Sequence, residues 1–137
     1  MVIIIAVLGS CNKENIDPGI IIQELNLKMC GEFYFAKTYI FTTDSAFQTL
    51  LNEPSCDNII DPTIDFNQFS LLGMYASGGC KVTFKPQVLK DEQNKKYKFT
   101  VFVFEKGLCK KAAISNNWVL VPKLPLGYSV DFEVKNE

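Results

Sequence analysis

The stretch KVTFKPQVLKDEQNKKYKFTVFVF, residues 81–104, decides the fold of this chain. It contains two runs rich in β-branched and aromatic residues, 81–89 and 96–104, which have the composition of strands. The connection between them, residues 90–95, is charged and polar, as in a solvated hairpin turn. Near the end of the second run, apolar residues occupy both odd and even positions, so we expect both faces of that strand to be covered there. The stretch therefore predicts an antiparallel hairpin.

Further strand-like runs lie on both sides of this hairpin. They cover residues 32–42, 66–76, 118–121 and 128–134. Residues 20–27 are ambiguous between a short strand and a turn. Because the connections between neighbouring runs are short, we expect the strands to follow one another as an antiparallel meander.

One segment has helical instead of strand periodicity. Residues 45–48 fit a capping box at the start of a helix. Within that helix one face would carry the apolar residues Phe47, Leu50 and Leu51. Pro54 is expected to end this short helix. The complete pattern predicts an α+β fold that is mostly β, with an antiparallel meander sheet of five to six strands and one short helix packed on it.

The composition limits the possible functions. The 137 residues suit one domain, and a formal net charge of −1 would not steer the protein to nucleic acid. The sequence contains neither histidine nor arginine. Histidine is the commonest metal ligand and titrates near neutral pH, whereas arginine binds anions through paired hydrogen bonds. We therefore expect no catalytic residue, no metal and no cofactor, and we classify the protein as non-enzymatic.

The N-terminus indicates where the protein is located. Residues 2–8, VIIIAVL, form an uncharged apolar run, and the tetrapeptide Leu8-Gly9-Ser10-Cys11 resembles the lipobox of bacterial lipoproteins. In those proteins the cysteine becomes the lipidated first residue of the mature chain. The alternative is that the same run is a buried strand. The lipobox interpretation predicts three parts: a lipoprotein signal segment over 1–10, a tether over 11–19 and a single α+β domain over 20–137.

The cysteines fit an oxidising compartment. If Cys11 carries the lipid, the four other cysteines are an even number, which suits disulfides. Cys80 precedes one strand of the hairpin and Cys109 follows the other. These ends lie side by side in an antiparallel pair, so we expect a Cys80–Cys109 bridge and, by elimination, Cys30–Cys56. Four buried free thiols in a cytosolic domain are the alternative.

A basic loop is the candidate partner-binding surface. Lys106, Lys110 and Lys111 lie in the loop 106–111, which follows the most apolar strand. Lys123 lies in the exit from the next strand, between two prolines. We expect these four lysines to project toward a partner, because exposed loops on a rigid scaffold commonly carry binding residues.

Three aspartates form the one candidate cation site. Asp57, Asp61 and Asp65 recur every four residues and would share a face if the segment were helical. Pro54 and Pro62 forbid a continuous helix there. We therefore favour loop carboxylates that cap turns, with a metal-dependent enzyme as the less favoured alternative.

Several short pieces of the chain carry a family resemblance. They are Ile64-Asp65-Phe66, Leu71-Leu72-Gly73, Gly78-Gly79, Trp118-Val119 and Pro122. Together they resemble the PrcB-like protease-complex accessory proteins and related uncharacterised lipoproteins of Bacteroidota, over roughly residues 40–134. The resemblance implies a non-enzymatic module that faces the periplasm, and it assigns no catalytic residue. In the resembled lipoproteins an aspartate after the lipidated cysteine favours the inner membrane, so Asn12 implies the outer membrane.

The leading hypothesis is thus a lipid-anchored binding or assembly module of the bacterial cell envelope. Its expected partners are another envelope protein and, through the N-terminal lipid, the membrane. It is expected to face the periplasm or the cell surface. A protease inhibitor that uses the 106–111 loop is the alternative function.

Overall fold

The computed structural model describes residues 15–27, 38–52, 62–107 and 112–137. In these residues the chain forms seven strands and one helix. They are β1 (Gln23–Leu25), β2 (Thr38–Phe41), α1 (Asp44–Leu51), β3 (Phe69–Gly79), β4 (Lys81–Asp91), β5 (Lys96–Lys106), β6 (Ala112–Pro122) and β7 (Ser129–Asn136). The prediction of an α+β fold that is mostly β is confirmed.

The four central strands form one long antiparallel hairpin that is folded in half. β4 pairs with β5 from Asp91↔Lys96 to Lys81↔Lys106, and β3 pairs with β6 from Gly79↔Ala112 onward. One arm of this hairpin is β3 followed by β4, and the other arm is β5 followed by β6. The two ladders are therefore successive parts of the pairing between these arms. One arm changes sheet at Cys80, where φ is +56°. The other arm changes sheet between Lys106 and Ala112.

Folding the hairpin in half gives two facing sheets. The first has the strand order β1-β6-β3-β2 and the second β4-β5-β7, with β5 packed across from β3 and β4 across from β6. The buried residues between the sheets form the main core: Leu72, Met74, Ala76, Val88, Tyr97, Phe99, Val101, Val103, Val119 and Val121. Each sheet thus buries one face of its strands against the other sheet.

This architecture corrects the predicted arrangement of the strands. We expected one antiparallel meander of five to six strands, but β3 and β4 lie in different sheets, as do β5 and β6. In addition, β7 runs parallel to β5. The physical reason is that one sheet could not cover the apolar faces of four eleven-residue strands, whereas two sheets cover each other.

The hairpin turn is as predicted. The side chain of Asp91 accepts hydrogen bonds from the backbone N–H of Asn94 at 3.0 Å and from its Nδ2 at 2.9 Å. Lys95 then has φ +51°, which reverses the chain into β5. Thr100 and Phe104 on the second face of β5 are also buried, so the expected covering of both faces is confirmed.

The helix covers the outer face of the first sheet. It begins two residues earlier than the predicted capping box, because Thr43 is the N-cap and accepts from the Ala46 N–H at 3.3 Å. Phe47 and Leu50 are buried, as predicted. They pack with Trp118 and other side chains of the sheet into a second apolar cluster.

The N-terminal segment partly covers one flank of the two-sheet sandwich, the side on which β1 and β4 are the edge strands. The Val88 N–H donates to the Pro18 carbonyl at 3.1 Å, and the Ile20 N–H donates to the Val88 carbonyl at 2.8 Å. Residues 18–20 of the chain thus lie along β4, before β1 pairs with β6. The end of the segment predicted as a tether is therefore bound to the domain. Residues 1–14, with the proposed lipobox, lie outside the described residues.

Candidate functional site

The structure separates the lysines that were predicted to contact a partner. Lys106 ends β5, and Lys110 and Lys111 lie outside the described residues. Lys123 follows β6 at the opposite end of the sandwich, where its Nζ donates to the Phe66 carbonyl at 2.8 Å. The eleven residues of β6 separate the two ends by about 35 Å. Lys123 therefore lies far from Lys106, and the partner contacts expected of these lysines stay predictions.

The predicted aspartate group is described only at Asp65. Its Oδ1 accepts from the Asn67 N–H at 3.0 Å, and its carbonyl accepts from the Gln68 N–H at 3.0 Å. Asp65 thus caps the turn that leads into β3. Asp57 and Asp61 lie outside the described residues. Within the described part of the chain, no three His, Cys, Asp or Glu side chains form a group that could hold a metal ion.

Cys80 lies where the chain passes from β3 to β4. The register places Lys81 opposite Lys106, which precedes Cys109 by three positions in the sequence. The four other cysteines, at positions 11, 30, 56 and 109, lie outside the described residues. The expected lipidation and both expected disulfides therefore stay predictions.

Among the described residues, three titratable groups have shifted pKa values, each with a structural cause. The hydrogen bonds from Asn94 lower the pKa of Asp91. The hydrogen bond and charge of Asp131 raise the pKa of Lys96, whose Nζ lies 2.8 Å from the Asp131 carboxylate. Burial raises the pKa of Tyr97, whose hydroxyl donates to the Pro122 carbonyl at 3.0 Å. These groups hold the hairpin and its neighbours in place.

One cleft of about 380 Å³ lies on the flank formed by β1 and β4, which the N-terminal segment partly covers. Its polar wall carries Asn26, Asn116 and Asn117, and Phe84 and Pro86 of β4 form an apolar wall. We call it the carboxamide cleft. The Asn117 Nδ2 donates to the Met74 carbonyl at 3.2 Å, whereas the enclosed Asn116 Nδ2 finds no hydrogen-bond acceptor within the described part of the chain.

A second cleft, of about 360 Å³, lies on the opposite flank between β2, β3 and β7. Its lining is mostly apolar, and we call it the apolar cleft. Phe132 and Val134 of β7 form one wall, and Met74 and Ala76 of β3 form the other. The ring of Phe132 packs on Phe99 at a centroid distance of 5.8 Å, which fixes this wall. Val134 is 39 % exposed, so apolar surface is accessible at the mouth of the cleft.

The open edge of β7 runs along this cleft. β7 is the outermost strand of its sheet and pairs with β5 over eight residues, from Lys96↔Ser129 to Val103↔Asn136. Among the described residues no strand pairs with its outer edge. An edge strand presents a row of unpaired N–H and C=O groups that can pair with another chain. The side chains of β7 alternate between the apolar cleft and solvent.

The solvent face of β7 carries three charges in a fixed order. Asp131 pairs with Lys96, and Glu133 follows two residues later with no ion pair among the described side chains. Lys135 places its Nζ 5.8 Å from the centroid of the Phe102 ring. The sequence predicts β7 as a strand but does not indicate it as a candidate site. Its alternation of apolar and charged residues was the available signal, because charged side chains are typical of edge strands.

Comparisons with protein-family models, with curated proteins and with solved structures found no match to this chain. The resemblance to PrcB-like accessory proteins therefore stays a prediction. Within the described ranges, no helix has the length and apolar character needed to cross a membrane.

Proposed function

We propose that the protein is a non-enzymatic, lipid-anchored module of the bacterial cell envelope that binds an extended segment of another envelope protein. In this proposal the segment adds to the outer edge of β7 as a further strand. The observation that carries the proposal is the eight-residue outer edge of β7 beside the apolar cleft, with which no strand in the described ranges pairs. Main-chain hydrogen bonds to such an edge provide affinity, and a neighbouring pocket provides specificity for side chains.

The rigidity of the site supports this function. β7 is held by its ladder to β5 and by the packing of Phe132 on Phe99. A strand that is already ordered loses little conformational entropy when a partner adds to it. The edge and the apolar cleft are therefore preorganised for an extended segment.

The position of the N-terminal segment is also consistent with anchoring at Cys11. Residues 18–20 lie along β4, and β7 lies on the opposite edge of the same sheet. Three strand spacings separate them, or about 14 Å. A lipid at the N-terminus, with the outer membrane as the proposed location, would leave the open edge of β7 accessible to a partner.

Lys106, the first residue of the predicted 106–111 surface, lies close to this edge. Asn136 at the end of β7 pairs with Val103, three residues before Lys106. Lys106 thus lies about 10 Å beyond the end of the β7 ladder. A segment bound along β7 would reach the first residue of the loop that sequence analysis assigned to a partner.

Site-specific photo-crosslinking in the native host tests the proposal. A photoreactive benzoylphenylalanine replaces Val134, which borders the apolar cleft. In a matched control it replaces Leu89 of β4, which is similarly exposed at 44 %. We expect position 134 to crosslink to one envelope protein, with the crosslink confined to one segment of that partner. Equal adducts from both positions, or no adduct from position 134, would contradict the proposed function.

A further inference from the structure

We propose that the segment bound by β7 has the pattern acidic, apolar, basic, apolar, basic, and that it pairs antiparallel to β7. This inference rests on the proposed function, because it specifies the partner of the same edge. It follows from the order of charges on the solvent face of β7: Asp131, Glu133 and Lys135.

Strand addition places each residue of the partner opposite one residue of β7. Directly opposite side chains on the same face interact, and opposite charges stabilise the pair whereas like charges destabilise it. A partner that runs antiparallel meets Lys135 first, then Glu133 and then Asp131. Its solvent-facing residues should therefore be acidic, basic and basic in that order. We assign the antiparallel direction because antiparallel pairing is slightly more stable per residue.

Glu133 contributes most to this selection. The carboxylate of Asp131 already lies 2.8 Å from Lys96, so part of its charge is compensated within the protein. Glu133 is exposed and has no ion pair in the described part of the chain. A basic residue opposite Glu133 therefore gains an interaction that the protein itself does not supply.

The residues between the charges face the other side of the new strand. On that side β7 presents Phe132 and Val134 to the apolar cleft. Apolar side chains of the partner would continue this wall and cover the accessible part of Val134. A cleft of about 360 Å³ accommodates one such side chain without rearrangement of the sheets.

A second copy of this chain fits the edge less well. If two β7 strands paired antiparallel about Glu133, each Asp131 would face a Lys135 of the other copy. The two Glu133 carboxylates, however, would then face each other at the centre and repel. A partner with a basic residue at the central position avoids this repulsion, which is why we assign the edge to a different protein.

Peptide binding to the full-length protein tests the charge order. The matched probe is acetyl-TEVKVKVT-amide, and the charge-swapped control is acetyl-TKVEVEVT-amide. At low ionic strength we expect the matched peptide to bind about tenfold more tightly, since three cross-strand pairs change sign between the two probes. The difference should shrink at 1 M salt, where exposed charges are screened.

Charge reversal in the protein provides the matched control. Glu133→Lys should weaken binding of the matched peptide and strengthen binding of the swapped one. Glu24→Lys, at an exposed position of β1 on the opposite flank, should change neither. Both variants should melt at the wild-type temperature, which shows that the fold is unchanged.

Three results would overturn the inference. Equal affinities for the two peptides would disprove the charge order but not strand addition at β7. Failure of both peptides to bind would disprove the pattern, while the crosslinking at position 134 would test the proposed function separately. Concentration-dependent dimerisation that Glu133→Gln strengthens would assign the edge to a second copy of this chain.

Discussion

Replacing Gly73 by alanine tests how closely β3 and β6 pack. Gly73 lies directly opposite Trp118 in the ladder. A Cβ atom at Gly73 would lie 2.5 Å from Cζ3 of the indole and 2.7 Å from Cε3. Real carbon contacts are about 3.5–4.0 Å, so either the ring or the backbone must move.

The ring has little freedom to move. Trp118 is only 3 % exposed, and it stacks on Tyr39 at a centroid distance of 5.6 Å and on Phe41 at 6.1 Å. Inserting a methyl group into a packed core of this kind typically costs 1–3 kcal/mol. Because a rigid aromatic ring cannot yield by changing one rotamer, we expect a loss of about 2–3 kcal/mol in the free energy of unfolding.

Urea unfolding followed by circular dichroism measures this loss. The same substitution in a Trp118→Leu background is the control, since leucine leaves space for the added methyl group. There we expect Gly73→Ala to cost at least about 1 kcal/mol less, which is the coupling energy expected of residues in contact. A loss below about 0.5 kcal/mol for the single variant, or full additivity of the two changes, would refute the assigned packing.

Three further predictions concern the hairpin, the disulfide and the anchor. The carboxyl of Asp91 should titrate below the reference pKa of 3.8, and Asn94→Ala should return it toward that value in carboxyl-carbon NMR titrations. Because the pKa of Asp91 is lowered in the folded state, the ionised carboxylate stabilises the fold fully above the unfolded pKa, and this stabilisation is lost as pH falls through the folded pKa. An unchanged titration of Asp91 in the Asn94→Ala variant would contradict the assigned hydrogen bonds. Cys80 should bridge Cys109 and Cys30 should bridge Cys56, so the unreduced, denatured mature protein should titrate no free thiol. Removing the first bridge alone, by Cys80→Ser with Cys109→Ser, should lower the free energy of unfolding by about 3.5 kcal/mol. Cys11→Ser should release the protein from the membrane fraction, whereas an intact N-terminal methionine on the native protein would disprove lipidation.

The central hairpin could be predicted because its determinants are local. The charged connection 90–95 and the β-branched runs beside it specify the turn and its register. β6 was predicted only at residues 118–121, although it begins at Ala112. Its first half, AAISNN, has little strand propensity and is a strand because β3 pairs with every residue of it.

The candidate site could not be predicted because it depends on topology. The alternating sequence of β7 indicates a strand, but only the strand order shows that its outer edge has no neighbour among the described strands. Connection length does not distinguish a strand that pairs with its predecessor from one that crosses to a facing sheet. For the same reason the folded hairpin, and hence the apolar cleft between β3 and β7, was missed.

Amide hydrogen exchange on β7, with and without the bound partner segment, tests the central claim most directly. In an edge strand, alternate N–H groups point toward the free edge, where they exchange with water. If a partner adds as a strand, every second amide between Ser129 and Asn136 should become strongly protected. The amides that already pair with β5, and those of β1 on the opposite flank, should not change. Uniform protection along β7, or protection confined to the carboxamide cleft, would contradict strand addition at this edge.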